Sequence, residues 1–213
     1  MSNSKPTLLL TGYGPFNHIT ENPSKAIVTE LYKEFEDNKQ NFPYNLEIKI
    51  LPVSYKSVHD EMKQYYQRED IDYFIHLGVD STSKYIIFET EAESHGYFSE
   101  DIDGCVPEDN CCIVQKGGEP QTLKSSFPLH KICSEMNETN DYYPIMLSTD
   151  PGKFLCSYIY YQTLYHSPKT LFIHVPNVKL NDDAHFNDIL CTIKKAIDNV
   201  VIYEEKGKHL KKI

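Results

Sequence analysis

The chain has 213 residues, enough for one compact domain whose core needs neither disulfides nor a metal to be stable. It contains 21 Lys and Arg against 31 Asp and Glu, so its formal net charge is −10. Such a charge is repelled by a phosphate backbone and argues against a nucleic-acid-binding protein. We therefore expect a single domain over residues 1–213, with no nucleic acid among its partners.

The amino terminus and the cysteines both indicate a cytoplasmic protein. Residues 1–6 lead into only a short apolar run, which is too short for the core of a signal peptide or for a membrane span. In the cytoplasm thiols stay reduced, and the six cysteines include no Cys-x-x-Cys pair. Structural or loop thiols are the simpler interpretation, and a metal site built from Cys105, Cys111 and Cys112 is the less favoured alternative.

The first half of the chain alternates strand and helix patterns. Thr7 to Thr11 is an apolar run that ends at Gly12, which predicts a buried strand. A loop follows, and Asn22-Pro23-Ser24 has the composition of a helix start. The pattern then predicts a strand over 46–53, a helix over 54–67, and strands over 73–77 and 85–92.

The second half begins with a polar segment, residues 95–126, that is long for a bare loop and therefore predicts a lid, a binding loop or short hidden strands. After it the pattern predicts a helix over 129–136, a strand over 145–148, a helix carrying Cys156, a strand over 170–175, and a last helix from about Ala184 to Val200 capped by Asp182-Asp183. The basic end, about residues 204–213, is expected to be a mobile tail. The alternation predicts an α/β fold, a three-layer sandwich with a mostly parallel twisted sheet flanked by helices.

The most informative segment runs from Ser148 to Ser157. A short strand enters an Asp150-Pro151-Gly152 turn, and the following helix has Cys156 in about its first turn. A helix N-terminus carries partial positive charge and free N–H groups, so a thiol there ionises more readily, and the thiolate is the attacking form. The same amides could hold a developing oxyanion. The alternative is a buried core thiol, since free cysteine is often a small core hydrophobe.

Two histidines are candidates for the base that would serve this thiol. His174 lies near the end of the apolar strand 170–175, and His76 has nearly the same context at the end of the strand 73–77. Reacting groups collect at the carboxyl ends of parallel strands, so both positions are suitable, and the pattern alone does not choose between them. His166 is excluded, because ten helical residues place it about 15 Å from Cys156.

A third member of such a site is a carboxylate that orients the imidazole. Glu89, Glu91 and Glu93 share one face of a regular strand. Three carboxylates on one face usually form a solvated edge, and periodicity does not show which of them, if any, turns inward.

Several motifs together resemble the pyroglutamyl-peptidase I family, the pyrrolidone-carboxylate peptidases, which are cysteine peptidases. Thr11–Phe16 with Glu21–Ser24 is similar to the family's opening T-G-F-x-P-F and N-P-S, and Leu51-Pro52-Val53 is similar to its L-P-V strand end. Asp150–Cys156 resembles its nucleophile segment and Phe172–Pro176 its histidine segment. The resemblance covers about residues 7–200, and Cys111-Cys112 with Tyr158–Tyr161 look closest to the animal branch.

The resemblance implies roles that spacing could not assign. Cys156 would be the nucleophile, His174 the base and Glu89 the orienting carboxylate of a cysteine exopeptidase that removes N-terminal pyroglutamate from small peptides. The residues that would line the pocket for the lactam ring are Tyr13, Phe16, Phe154 and Leu155. The family resemblance implies no metal or organic cofactor, and the protein is a possible homo-oligomer.

The chain also departs from the family pattern. Many bacterial members carry G-Q-A-G-G-R where this chain has the residues Gly78 to Ser83, and Asn17-His18 replaces the usual Gly-Gly. Two alternatives therefore stay open. The fold could be a non-catalytic relic that binds pyroglutamyl N-termini, or another thiol hydrolase such as a deamidase.

Overall fold

The computed structural model describes residues 5–112, 118–139, 141, 143–180 and 182–210. Its strands are β1 (Thr7–Tyr13), β2 (Asn45–Leu51), β3 (Tyr73–Asp80), β4 (Ile86–Glu89), β5 (Glu91–Glu93), β6 (Thr122–Lys124), β7 (Ile145–Ser148) and β8 (Thr170–Pro176). Its helices are α1 (Pro23–Asp37), α2 (Tyr55–Tyr66), α3 (Leu129–Glu138), α4 (Leu155–His166) and α5 (Asp183–Leu210). The helices and strands predicted in the described part of the chain are present, with changes at β3, β4–β5 and α5. β3 continues past the predicted end at Leu77 to Asp80, so Gly78 lies inside the strand.

Six strands form the main sheet in the order β2-β1-β3-β8-β4-β7. The first four run parallel to one another, whereas β4 pairs antiparallel with β8 and parallel with β7. The mostly parallel sheet of the prediction is therefore confirmed, with two strands of opposite direction at one edge. The register sets Gly78 of β3 beside His174 of β8, which brings two parts of the site together.

The two faces of the sheet carry separate cores, because successive side chains of a strand point to opposite sides. In β1, Leu8 and Leu10 face a core with residues of α1, α3 and α5, while Leu9 and Tyr13 face a core with residues of α2 and α4. This is the three-layer sandwich that the sequence predicts. The face with α2 and α4 is the one that carries the candidate site.

The strand predicted over 85–92 is interrupted. β4 ends at Glu89, Thr90 is not in a strand, and β5 then pairs antiparallel with β6 in a separate two-stranded sheet. At the break, the N–H and the hydroxyl of Thr90 both donate to the carbonyl of Ser148 at the end of β7, at 2.8 and 2.9 Å. The prediction of one regular strand, with Glu89, Glu91 and Glu93 on the same face, is therefore wrong.

The segment predicted as a lid, a binding loop or hidden strands does contain a short strand, β6. Its first part is tied to the start of α2, where the carboxylate of Asp101 accepts the N–H of Tyr55 at 2.8 Å. The N–H of Ile102 also donates to the carbonyl of Val53 at 3.2 Å. Residues 113–117 of this segment lie outside the described residues.

The last helix is longer than predicted. Its start is capped as expected, with the N–H of His185 donating to the Asp182 side chain at 3.4 Å. The helix continues beyond Val200 to Leu210, so residues 204–210 of the expected mobile tail are helical. The ammonium of Lys208 holds the end of the helix, since it pairs with Glu205 at 2.6 Å and with Asp72 at 3.6 Å. The rest of the predicted tail, residues 211–213, lies outside the described residues.

The described helices include none that is both long enough and apolar enough to cross a membrane. None of the six cysteines, all within the described residues, is joined in a disulfide, and Cys111 and Cys112 are buried. Among the described residues, no group of three or more His, Cys, Asp or Glu is arranged to hold a metal ion.

Candidate active site

Cys156 is the second residue of α4, directly after the turn that the sequence predicts. Gly152 has a φ of +78°, a backbone conformation that favours glycine, and its N–H donates to the Asp150 side chain at 3.0 Å. The first carbonyl of the helix to be paired is that of Phe154, which accepts the N–H of Tyr158 at 3.1 Å. The N–H of Cys156 precedes that bond and has no intrahelical acceptor, so the thiol lies in the positive field of the helix N-terminus.

The sulfur of Cys156 lies against Gly78 of β3. A Cβ built on this glycine would be 2.9 Å from the Cys156 Sγ and 2.6 Å from a ring carbon of Phe172. Position 78 therefore has room only for hydrogen while the thiol keeps its place. Sequence reasoning did not assign this role, although a glycine inside a strand is a known signal of close approach by another group.

His174 connects Cys156 to Glu89. Its Nδ1 is 2.8 Å from Oε1 of Glu89, and both side chains are buried, at 7% and 1% exposure. With Nδ1 occupied by the carboxylate, Nε2 is the ring nitrogen that remains for the hydrogen bond with the Cys156 thiol. The other oxygen of Glu89, Oε2, is buried with no hydrogen-bond partner among the described residues.

The imidazole of His174 is held in its protonated form. Burial alone would lower the pKa of His174, but the charge of Cys156, the hydrogen bond with Cys156 and the contact with Glu89 together raise it to about 10. At neutral pH an imidazolium therefore stands beside the thiol. A cation in this position stabilises a thiolate, the nucleophilic form of cysteine.

His76, the other candidate base, is occupied on both ring nitrogens. Its Nδ1 is 2.8 Å from the hydroxyl of Thr11 and its Nε2 is 3.0 Å from the hydroxyl of Thr163. Burial lowers the pKa of His76 to about 3, so the ring is neutral. His76 ties β1, β3 and α4 together and has no nitrogen free for a thiol.

The remaining candidates lie away from the thiol. Glu91 pairs with Lys124 at 2.9 Å, and Glu93 pairs with Lys153. His166 closes the far end of α4 and stacks on Tyr66, with ring centroids 4.3 Å apart. The structure thus brings Glu89 alone of the three carboxylates to a histidine.

A small cavity of about 20 Å³ opens beside Cys156. All four residues predicted for the ring pocket line this cavity, together with Cys156: Tyr13, Phe16, Phe154 and Leu155. Asn22, Val53 and Val79 complete the lining, and the sequence analysis did not predict them as pocket residues. The hydroxyl of Tyr13 donates to the carbonyl of Leu155 at 3.1 Å and fixes that wall to the start of α4. The volume has room for about one water molecule.

Comparison with known proteins shows which family the whole chain resembles. A family model described as pyroglutamyl peptidase matches residues 6–198. Human pyroglutamyl-peptidase 1 is 27% identical over 213 residues, covering 98% of this chain and 97% of that protein. The pyrrolidone-carboxylate peptidase of Halalkalibacterium halodurans is 29% identical over 157 residues, covering 74% of this chain and 73% of that protein.

Solved structures give the same similarity in three dimensions. The pyrrolidone carboxyl peptidase of Thermococcus litoralis superposes with a TM-score of 0.77 at 25% identity, covering 95% of this chain and 96% of that one. The α/β fold expected from the sequence is therefore shared along almost the whole chain.

Proposed function

Since the chain belongs to the pyroglutamyl peptidase family, we propose that it is a cysteine exopeptidase that removes N-terminal pyroglutamate from small peptides. In this proposal Cys156 is the nucleophile, His174 the general acid and base, and Glu89 the carboxylate that orients His174. The observation that carries the proposal is the position of one buried imidazole between a thiol at a helix N-terminus and a buried carboxylate.

The reaction begins from the thiolate of Cys156 and the imidazolium of His174. The thiolate attacks the pyroglutamyl carbonyl carbon, and the C–O double bond becomes an oxyanion. As the C–N bond breaks, His174 gives its proton to the leaving amine, and a thioester to Cys156 remains. Water then attacks the thioester while His174 takes up its proton. The C–S bond breaks, pyroglutamate leaves, and the thiolate is restored.

The start of α4 supplies the positive field for the oxyanion. The N–H of Cys156 lacks an intrahelical acceptor and lies next to the atom on which the tetrahedral intermediate forms. The helix N-terminus therefore favours both the thiolate before attack and the oxyanion after it.

The cavity beside Cys156 is the candidate pocket for the pyroglutamyl ring. The ring is small and uncharged, which suits a wall made largely of aromatic and aliphatic side chains. A volume of about 20 Å³ is too small for a five-membered lactam. Phe16 and Phe154 are only half-buried, so we propose that they move aside when the ring enters.

Two features argue against the alternatives of a relic or a different thiol hydrolase. A non-catalytic binder has no need of an imidazolium beside a thiol, and yet His174 keeps both anionic partners. The family model that matches residues 6–198 is that of the pyroglutamyl peptidases, which favours this substrate class over that of a deamidase.

The test is hydrolysis of a fluorogenic pyroglutamyl amide by the purified protein, with and without iodoacetamide. We expect turnover that iodoacetamide abolishes, and a loss of turnover in Cys156→Ser. The matched control is Cys191→Ser, which removes an exposed thiol and should leave turnover unchanged. Near-parental turnover of Cys156→Ser would overturn the proposal, and hydrolysis of free N-terminal amides in preference to blocked ones would favour the other thiol hydrolases.

The setting of the enzyme is part of the same proposal. Six cysteines without a disulfide among them are what a reducing cytoplasm allows, so we propose a cytoplasmic location. Small peptides with an N-terminal pyroglutamate are the proposed partners, and a homo-oligomer is a further expectation that gel filtration with light scattering would test.

A further inference from the structure

Asp80, the last residue of β3, lies beyond the catalytic sulfur on the same face of the sheet. Side chains two residues apart in a strand point to the same side, and the hydrogen that stands for a side chain at Gly78 faces the Cys156 Sγ. At about 3.3 Å per residue, Asp80 is displaced from Gly78 by about 7 Å along the strand. It is half-buried, and the residues after it, Ser81 and Thr82, are exposed. Asp80 therefore stands at the rim of the site.

No Lys or Arg among the described residues forms an ion pair with the carboxylate of Asp80. Its Oδ1 accepts the N–H and the hydroxyl of Thr82 at 2.8 and 2.7 Å, and the backbone N–H of Ser83 also donates to the carboxylate. Burial would raise the pKa of Asp80, but the hydrogen bonds from Thr82 and the charge of His174 outweigh it and lower the pKa. Asp80 is thus an anion within electrostatic range of His174.

The order of the strands shows on which side of Cys156 the peptide leaves. The cavity is lined by Tyr13 of β1, by Val53 after β2 and by Val79 of β3. His174 is on β8, which lies on the other side of β3 from β1 and β2. With the ring in the cavity and the leaving amine at His174, the peptide must extend from Cys156 towards β8.

The register then sets Asp80 beside that path. Gly78 pairs with His174, and two residues further along both strands Asp80 pairs with Pro176. The residue that follows pyroglutamate therefore begins at His174 and passes the carboxylate of Asp80. A long cationic side chain at that position can pair with this carboxylate, whereas an acidic one meets a like charge.

We propose that Asp80 determines specificity for the second residue of the substrate and makes this enzyme favour Arg or Lys directly after pyroglutamate. The inference rests on the proposed function, because it takes the position of the ring and of the leaving amine from that reaction. A half-exposed ion pair changes a rate or binding constant by about threefold to fivefold, so attraction of Arg and repulsion of Glu together should separate the two substrates by about tenfold.

The experiment compares kcat/KM for pyroglutamyl-Arg-amide, pyroglutamyl-Ala-amide and pyroglutamyl-Glu-amide, together with a fluorogenic amide whose leaving group is uncharged. The informative variant is Asp80→Asn, which retains an oxygen for Thr82 and removes the charge. The control is Asp60→Asn, which removes an exposed charge from α2. We expect the wild type and the control to favour Arg over Glu by about tenfold at low salt, with the preference shrinking at high salt.

In Asp80→Asn we expect the ratio of kcat/KM for Arg to that for Glu to fall to about twofold or less. This ratio, and not the absolute turnover, is the readout, because Asp80 also lies within electrostatic range of His174. A wild type that hydrolyses the uncharged amide but treats Arg and Glu alike would overturn the Asp80 assignment alone. An unchanged preference in Asp80→Asn would overturn it as well. A wild type that hydrolyses none of the four substrates would overturn the proposed function and this inference with it.

Discussion

Two histidines on neighbouring strands have the same sequence context and opposite chemistry. His76 in the middle of β3 and His174 towards the end of β8 both follow apolar residues of parallel strands, and both are buried. The pKa of His76 is lowered to about 3, whereas that of His174 is raised to about 10. One ring is neutral at every physiological pH, and the other is a cation.

The difference between the two pKa values comes from the groups that each imidazole contacts and not from burial. Burial lowers the pKa of both rings, and at His76 the neutral hydroxyls of Thr11 and Thr163 do nothing to oppose it. At His174 the charges of Cys156 and Glu89 more than reverse it. A buried histidine is a candidate for acid–base chemistry when anionic groups face it, and otherwise it is a structural hydrogen-bonding residue.

The largest effect is expected from removing the charged histidine. His174→Ala should lower kcat/KM for a pyroglutamyl amide by about 10⁴-fold, because both the counter-ion of the thiolate and the proton donor for the leaving amine are lost. The measurement is steady-state kinetics with a thermal melt on the same sample. His130→Ala, at an exposed histidine of α3, serves as the control and should retain its activity. A fall of less than tenfold in His174→Ala would contradict the assignment of this ring as the acid and base.

A smaller effect is expected from removing the charge that faces His174 from the other side. Glu89→Gln keeps the shape of the side chain but no longer opposes the desolvation of the imidazolium, so kcat should fall by about 10²–10³-fold. Glu91→Gln is the matched control, because Glu91 pairs with Lys124 outside the site.

The pH dependence of Glu89→Gln provides a second readout. The alkaline limb of kcat/KM, which reports loss of the His174 proton at about pH 10 in the wild type, should move to lower pH in Glu89→Gln. If the alkaline limb of kcat/KM stayed at the same pH in Glu89→Gln, Glu89 would not be a group that raises the pKa of His174.

The fold was predictable to the extent that it follows local patterns. The apolar runs, the Asn22 cap of α1 and the turn before Cys156 each act within a few residues, and the structure has a strand or helix at each. The direction of β4 and the break at Thr90 were not predictable, since both depend on pairing with β7 and β8, far away in sequence. The extension of α5 to Leu210 depends on the distant contact between Lys208 and Asp72.

The residues of the candidate site likewise divide into those that local sequence indicates and those that depend on distant contacts. Cys156 was a candidate nucleophile from its own neighbours, because a helix start after a tight turn is a local feature. The choice between His76 and His174 depends on Thr11 and Thr163 in one case and on Glu89 in the other, and each partner is more than 60 residues away or on another element. Periodicity could not make that choice, and family resemblance supplied an assignment that geometry now supports.

A methyl group added at Gly78 should disturb the site around Cys156 and His174 and leave the hydrogen bonds of His76 unchanged. Gly78→Ala places a Cβ 2.9 Å from the Cys156 Sγ and 2.6 Å from Phe172, so the sulfur must shift. Whichever way the sulfur moves, we expect kcat/KM to fall by about 10²-fold, since a displacement of about 1 Å at the reacting atom has an effect of that size. Gly207→Ala, where an added Cβ meets nothing within 4 Å, is the control and should be neutral. Full activity in Gly78→Ala would show that the thiol tolerates displacement.

The smallest expected effect is on the pH dependence of the free energy of unfolding, which should differ between His76 and His174. The unfolded His76 has a pKa of about 6.5, and the folded one is lower, so between these values the unfolded state binds the extra proton. The stability that His76 contributes is therefore complete above about pH 6.5 and is lost as the pH falls towards 3. We expect the free energy of unfolding to drop by about 1 kcal/mol between pH 7 and 5.5 from this group alone. His76→Gln, which cannot titrate, should flatten that limb in urea titrations. His174→Ala should keep it, because a raised pKa contributes stability that is lost only as the pH rises towards 10. A limb that disappears in His174→Ala and persists in His76→Gln would mean that the charge states of the two rings are reversed.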